Sequence, residues 1–302
     1  MAPPRDLALC TTVYPGVEAF LPAWYESVMS QTDRRFRLWV ALDGVTIANV
    51  IEILDDEPDA TWVHGFPGDT PATIRQRILS QLVGRHDGVV LTDSDDVLHP
   101  DRVETARAAL SDSELVACAL RLVDSRGASL GATLEPAGWS IGNEVLPRHN
   151  VYGLSNTAWR CDMLQRCLPI PADVEIVDWY LSTRAWLLKA TTHLDRAVGM
   201  DYRQHGANAT RVRAPYRLRD VMSDTERVLR HLRLVLRDAP SAADGWRLEQ
   251  IRHLVWDIQQ FSSTVLSDDA LAAEYVHLLN ELDPRPLWWA NVAHPSLRHL
   301  WA

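Results

Sequence analysis

DGVVLTDSDDVLHPDRVE, residues 87–104, joins a short apolar run to a group of carboxylates and then to a helix-forming segment. A continuous apolar run bounded by polar turn residues reads as a strand covered on both faces. Its carboxyl end delivers Asp93, Ser94, Asp95 and Asp96, and open parallel sheets gather their ligands outside the carboxyl ends of the strands. Carboxylates crowded together raise one another's proton affinity unless a cation neutralises them. Mg²⁺ or Mn²⁺, held by one or two carboxylates while substrate phosphates complete the shell, removes that repulsion. The local alternative is that the aspartates cap the helix beginning near Pro100, where negative charge favours the helix dipole.

Outward from this stretch, short apolar runs alternate with helical segments, the pattern of βαβ units and a mainly parallel sheet. Leu7–Tyr14 reads as the first strand, followed by a helix from about Val17 to Gln31, and Phe36–Asp43 as the second strand. TWVHGF is a weaker third strand. Thr70–Val83 carries an N-cap threonine, Pro71 at the first helical position and apolar residues at helical spacing. Leu115–Val123 is a further strand, with a Gly-containing loop from there to about Gly153. Helices are expected over Asn156–Leu168 and Val177–Leu188, and a strand in THLDRAVGMDYR. Beyond about Pro215, three segments with apolar residues near 3.6 spacing predict a helical extension, so the chain divides into an α/β domain over 1–213 and helices over 214–302.

The 302 residues, 47% hydrophobic and 23% charged, suit one large packed domain with an appendage. A formal net charge of -10 provides no basic face for nucleic acid, which is not an expected partner. A nucleoside diphosphate remains compatible, because a divalent cation and helix N-terminal amides supply positive charge locally. The four cysteines form no CxxC pair, and no segment reaches the roughly 18 apolar residues that span a bilayer. These features predict a cytoplasmic protein, with a possible peripheral place at the inner membrane face.

The segment LTDSDDVLHPDRVE resembles the DxD segment of family 2 glycosyltransferases, enzymes of the GT-A fold. Four other stretches fall in the family's order. Leu9–Gly44 resembles the opening strand, helix and second strand; TPATIRQRIL is similar to the "ARN" helix; IVDWYL resembles the acidic "ED" segment; and YRQHGANAT is similar to the YRxHxxN-type ending. The resemblance covers about residues 7–210. It implies a GT-A (nucleotide-diphospho-sugar transferase) Rossmann-like sheet and transfer of a sugar, with inversion, from a UDP- or dTDP-linked donor to a carbohydrate or lipid-linked acceptor.

Carried over residue by residue, Thr11, Val13 and Tyr14 line the donor pocket and Asp43 faces the base, where an ionised carboxylate accepts an imide N–H. Asp43 is also an ordinary turn residue before Gly44. Arg75 matches the "ARN" arginine with Gln76 in place of asparagine, and Arg77 competes for the same role. Asp93 and Ser94 contact the donor, Asp95 the metal, and Asp96 either. Asp178 is the candidate base that takes the acceptor's proton, although Val177 replaces the first acid of the motif and an N-cap role suits Asp178 equally. Glu175 is the reserve base. His205 adds a metal ligand or diphosphate contact, within a match that includes Tyr202, Arg203 and Asn208. Asn156 and Trp179 are assigned to the acceptor, with Trp159 a further aromatic; core packing is the competing role of each indole.

The aromatic end LWWANVAHPSLRHLWA, with Trp288, Trp289 and Trp301, suits docking on the catalytic domain, a homodimer interface or a membrane surface. Two rival functions stay open: a non-catalytic nucleotide-sugar-binding scaffold, and a nucleotidyltransferase. The second lacks a Gly-rich, lysine-containing triphosphate loop, Lys189 being the only lysine.

Overall fold

LALCTTV is buried at every position and becomes β1 (Leu7–Val13), a strand with parallel neighbours on both sides. Those neighbours are β2 (Phe36–Leu42) and β4 (Gly88–Leu91), and β3 (Ala60–His64) extends the parallel set beyond β2. The computed structural model describes residues 2–135, 145–205, 212–282 and 284–302. Among these, nine strands form one sheet in the order β3-β2-β1-β4-β8-β6-β9-β5, with β7 beside β6.

The expected parallel sheet holds for its first half and changes character in the second. β8 (Thr157–Arg160) runs antiparallel to both β4 and β6 (Leu115–Val123), while β9 (Thr192–Arg203) runs parallel to β6 and antiparallel to the short β5 (Val97–Leu98). The sheet is therefore mixed. Residues 157–160, expected to be helical, form this strand because pairing partners lie on both sides, and the helix α5 (Cys161–Cys167) starts only after it. The loop expected after β6 contains β7 (Ser129–Leu134), whose small residues lack an apolar signature.

Helix starts follow their caps. In α2 (Ile47–Leu54) Thr46 and Asn49 cap each other, and in α3 (Pro71–Leu82) Thr70 and Thr73 do so ahead of Pro71. The first helix is shorter than its expectation, α1 (Leu21–Met29), and begins at Leu21-Pro22. α4 (Arg102–Ala109) follows the acidic segment, and α6 (Val177–Leu187) opens with Asp178 in its first turn. Three further helices, α7 (Leu218–Arg237), α8 (Gly245–Thr264) and α9 (Asp269–Leu282), precede a 3₁₀ turn at Pro295–Leu300. No helix among the described residues is long and apolar enough to cross a membrane. The four cysteines are buried and unpaired.

The C-terminal end packs into the body of the protein. Trp288, Trp289 and Trp301 are only 6%, 3% and 8% exposed. Trp288 bridges to Asn150, its indole Nε1 donates to Tyr202 Oη at 3.3 Å, and Trp301 donates to Asp257. Of the three placements open to this segment, docking on the body of the protein accounts for the burial of these indoles. Among the described residues, the exposed aromatics are Phe66, Trp246 and Trp256.

β9 carries the chain back to the acidic segment, and its path depends on close packing at Gly199. A Cβ there meets Cys118 Sγ at 2.7 Å and Arg102 Cδ at 2.9 Å. Gly199→Ala is expected to lower the urea midpoint by the equivalent of about 1–3 kcal/mol through overpacking. An unchanged midpoint contradicts this tight contact.

Candidate functional site

Chain topology brings four segments to the carboxyl end of β4. The acidic residues follow β4 directly, Arg75 projects from α3, Ser155 lies just before β8, Arg203 ends β9 and His205 follows it by two residues. Ser155 organises the carboxylates. Its Oγ accepts from the Asp93 backbone N–H at 2.9 Å and donates to the Asp96 carboxylate, with Asp93 Oδ2 at 3.3 Å. Arg203 grips the same loop, its backbone N–H donating to Asp96 Oδ1 at 2.8 Å and its Nε to the Asp95 carbonyl at 2.7 Å. His205 Nε2 lies 2.8 Å from Asp95 Oδ2, and its ring packs 5.1 Å from Phe20. Asn208 lies outside the described residues.

These carboxylates border a cleft of about 200 Å³, whose lining brings Tyr14, Arg75, Asp93, Asp95, Ser155 and Tyr202 together with Glu175, Asp178, Arg227, Trp288 and Trp289. Arg75 Nη2 stands 3.6 Å from Asp93 Oδ1. Arg77 is engaged elsewhere, paired with Asp69 at 2.9 Å and stacked on Phe66. The two arginines that compete in the sequence are thus separated by structure, and Arg75 faces the cleft. Asp178 Oδ2 accepts from Asn150 Nδ2 at 2.8 Å. Glu175 is held by Arg227 at 3.4 Å and by Arg230, which leaves Asp178 the less encumbered carboxylate.

Crowding sets the electrostatics. Burial pushes the Asp93 carboxyl up to about 6, opposed by Arg75 and reinforced by Asp95 and Asp178. Burial, then Asp95 and Asp93, holds Asp96 well above the ordinary carboxylate range. Asp178 is raised by burial, against the Trp179 backbone N–H, Arg75 and Asn150. Burial and the nearby carboxylates push the Tyr14 phenol upward, so it stays a neutral hydroxyl. A site that concentrates carboxylates at this cost suits a cation. Among the described residues no group of three or more His, Cys, Asp or Glu side chains is arranged to hold a metal ion. The donors on hand, Asp95 and His205, fit an ion that takes one or two protein ligands and completes its shell with phosphate oxygens.

The remaining sequence candidates lie apart from the cleft lining. Thr11 borders a smaller cavity of about 20 Å³ that shares Arg75 and Asp93, and its Oγ1 is buried without a partner among the described residues. Val13 is a core residue, and the half-buried Asp43 continues the β1 edge through its backbone N–H. Ser94 is fully buried and donates to the Thr12 carbonyl at 2.8 Å, tying the loop to β1. Asn156 is fully buried and donates to the Cys118 and Val151 carbonyls. Trp179 is likewise fully buried, stacked 4.5 Å from His231, because it follows Asp178 on α6 and so points about 100° away around the helix. Trp159 is core. Sequence reasoning overlooked Ser155, although it adjoins Asn156, and also Asn150 and Arg227.

No protein-family model matches the chain, and no curated protein matches it. Solved structures do. S. aureus TarS 1-349 in complex with UDP-GlcNAc aligns at a TM-score of 0.57 and 14% identity, over 85% of this chain and 73% of that one. The mannosyltransferase PcManGT from Pyrobaculum calidifontis, in complex with GDP-Man and Mn²⁺, aligns at 0.55 and 14% identity, over 100% of this chain and 90% of that one. These likenesses establish the GT-A fold.

The raised Asp93 has a thermodynamic consequence. The folded chain keeps this proton up to about pH 6, whereas an unfolded carboxyl releases it near 3.8, so ionisation opposes folding as pH rises through that window. In EDTA, Asp93→Asn is expected to be more stable than the wild type near pH 7.5 by about 1–2 kcal/mol, with the advantage gone near pH 4. Urea midpoints at the two pH values check this, and a variant less stable at both contradicts it.

Proposed function

We propose that the chain is a glycosyltransferase that moves a sugar from a nucleoside diphosphate sugar to an acceptor hydroxyl, with inversion at the anomeric carbon. The observation that carries this reading is the convergence of Arg75, the Asp93–Asp96 loop and Asp178 on one cleft. The complexes of the similar folds with UDP-GlcNAc, and with GDP-Man and Mn²⁺, support a nucleotide-sugar donor and a divalent cation. The reading assigns catalysis to residues 1–213, treats 214–302 as a helical extension, and puts the enzyme in the cytoplasm with a carbohydrate or lipid-linked acceptor.

In this mechanism Asp95 and His205 would hold Mn²⁺ or Mg²⁺, which would supply positive charge to the diphosphate. Arg75 adds a planar donor for the diphosphate beside Asp93, and the neutral Tyr14 hydroxyl offers one hydrogen bond in the donor half of the cleft. The reading keeps Thr11, Val13 and Asp43 as donor residues on the strength of the resemblance, while Ser94 fixes the loop to β1. Asp178 accepts the acceptor hydroxyl's proton while that oxygen bonds to the anomeric carbon and the bond to the diphosphate oxygen breaks. Asn150 orients the carboxylate. Burial raises Asp178 above the ordinary carboxylate range, which makes it a better base, and the rate is expected to fall as pH drops through its pKa.

Asp178→Asn keeps the Asn150 contact in shape and removes the base. It is expected to lower transfer by about 10²–10⁴-fold, with nucleotide affinity nearly unchanged. The check is turnover of UDP- and GDP-linked sugars by wild type and variant, with the product anomer read by NMR. A product that retains the donor's anomeric configuration rejects direct displacement. Metal-dependent nucleotide binding without turnover in the wild type favours a non-catalytic scaffold.

A further inference from the structure

We propose that Arg227 and Glu175 form the acceptor-recognising wall of the cleft, and that the acceptor they take is an uncharged sugar presenting a vicinal diol. The inference rests on the transferase reading above and names its second substrate class. Arg227 belongs to α7, outside the segment that resembles known transferases, yet it lines the same cleft as Asp178. Glu175 precedes Asp178 by three residues, so the pair stands beside the group assigned to receive the acceptor's proton.

The wall is built and braced. Arg227 Cζ sits 4.9 Å from the centroid of the Trp289 ring, a position that orients a guanidinium plane. Trp289 is 3% exposed and stacked towards Trp179 at 6.3 Å, so the platform behind Arg227 is fixed in the core. Arg227 Nε lies 3.4 Å from Glu175 Oε2, while Arg230 engages the other carboxylate oxygen. The result is a row of N–H donors next to a carboxylate acceptor. Adjacent sugar hydroxyls, each able to donate and accept, match that alternation.

Charge selects against an anionic acceptor. Two arginines face four carboxylates in the cleft, Arg75 against Asp93 and Arg227 against Glu175, and Asp95 and Asp178 add further negative charge. A divalent cation offsets the excess at the donor end, where the diphosphate also sits. At the other end an acidic sugar meets Asp178 and Glu175, and the arginines there are already paired among the described residues, Arg227 with Glu175 and Asp224 and Arg230 with Glu175. Like charge there both weakens binding and discourages ionisation of the base.

The test uses the full chain with whichever UDP- or GDP-linked sugar it hydrolyses, and as probes the methyl glycosides of glucose, mannose and N-acetylglucosamine beside methyl glucuronide. Neutral glycosides are expected to be glycosylated, or to suppress donor hydrolysis by displacing water, at least about tenfold more effectively than the uronide. Arg227→Met, which keeps the stem against Trp289, is expected to raise the neutral-acceptor KM about tenfold with the donor KM within about twofold. Glu175→Gln, at a solvent-exposed position, gives a second variant with the same split. Preference for the uronide, no response to any neutral glycoside in a protein that turns over donor, or equal changes in both KM values overturns the proposal. Absence of donor turnover in the wild type removes the transferase reading and this inference with it.

Discussion

Negative charge gathered at the carboxyl end of β4 is the constraint on which the site depends. Burial raises Asp93 and Asp96, with Asp95 and Asp178 adding to the first and Asp95 and Asp93 to the second. The surrounding structure holds the group in place without neutralising it. Ser155 and Arg203 supply directed hydrogen bonds, and Arg75 stands 3.6 Å from Asp93. A loop stabilised in shape and left short of positive charge suits a cation that arrives with its substrate.

The architecture explains why distant parts of the chain meet here. The parallel β3-β2-β1-β4 set ends its strands on one edge, and the antiparallel β8 returns the chain so that Ser155 meets the acidic loop. β9 enters from the far side of β6 and delivers Arg203 and His205. The last residues then close the cleft, Trp288 against Tyr202 and Trp289 beneath Arg227. Removal of the C-terminal segment takes away part of the cleft wall as well as a helical appendage.

Much of this was legible in the sequence wherever a local rule governed. Continuous apolar runs marked β1 and β4, and Thr70 with Pro71 marked the start of α3. Asp93 and Asp95 stand out by residue type at a strand end and Arg75 by the resemblance of its helix, and all three line the cleft. Residues 157–160 were misread because a short apolar run has no period of its own and its pairing partners decide its form. Asn156 and Trp179 were each one position from a residue that faces the cleft, Ser155 and Asp178. Adjacent side chains point in different directions, and motif order carries no direction. Arg227 left no local signal, and Trp289 only its place in an aromatic end suited to docking, since their meeting depends on how α7 and the final loop fold back.

The most direct measurement is calorimetric titration of UDP and GDP into the wild type and Asp95→Ala, each with Mn²⁺ and with EDTA. The account predicts saturable binding of a nucleoside diphosphate to the wild type that requires Mn²⁺ and is lost in the variant, whose fold is checked by its melting temperature. Binding that is indifferent to both the metal and Asp95, or absent throughout, contradicts the assignment of this acidic loop to a metal-bound diphosphate.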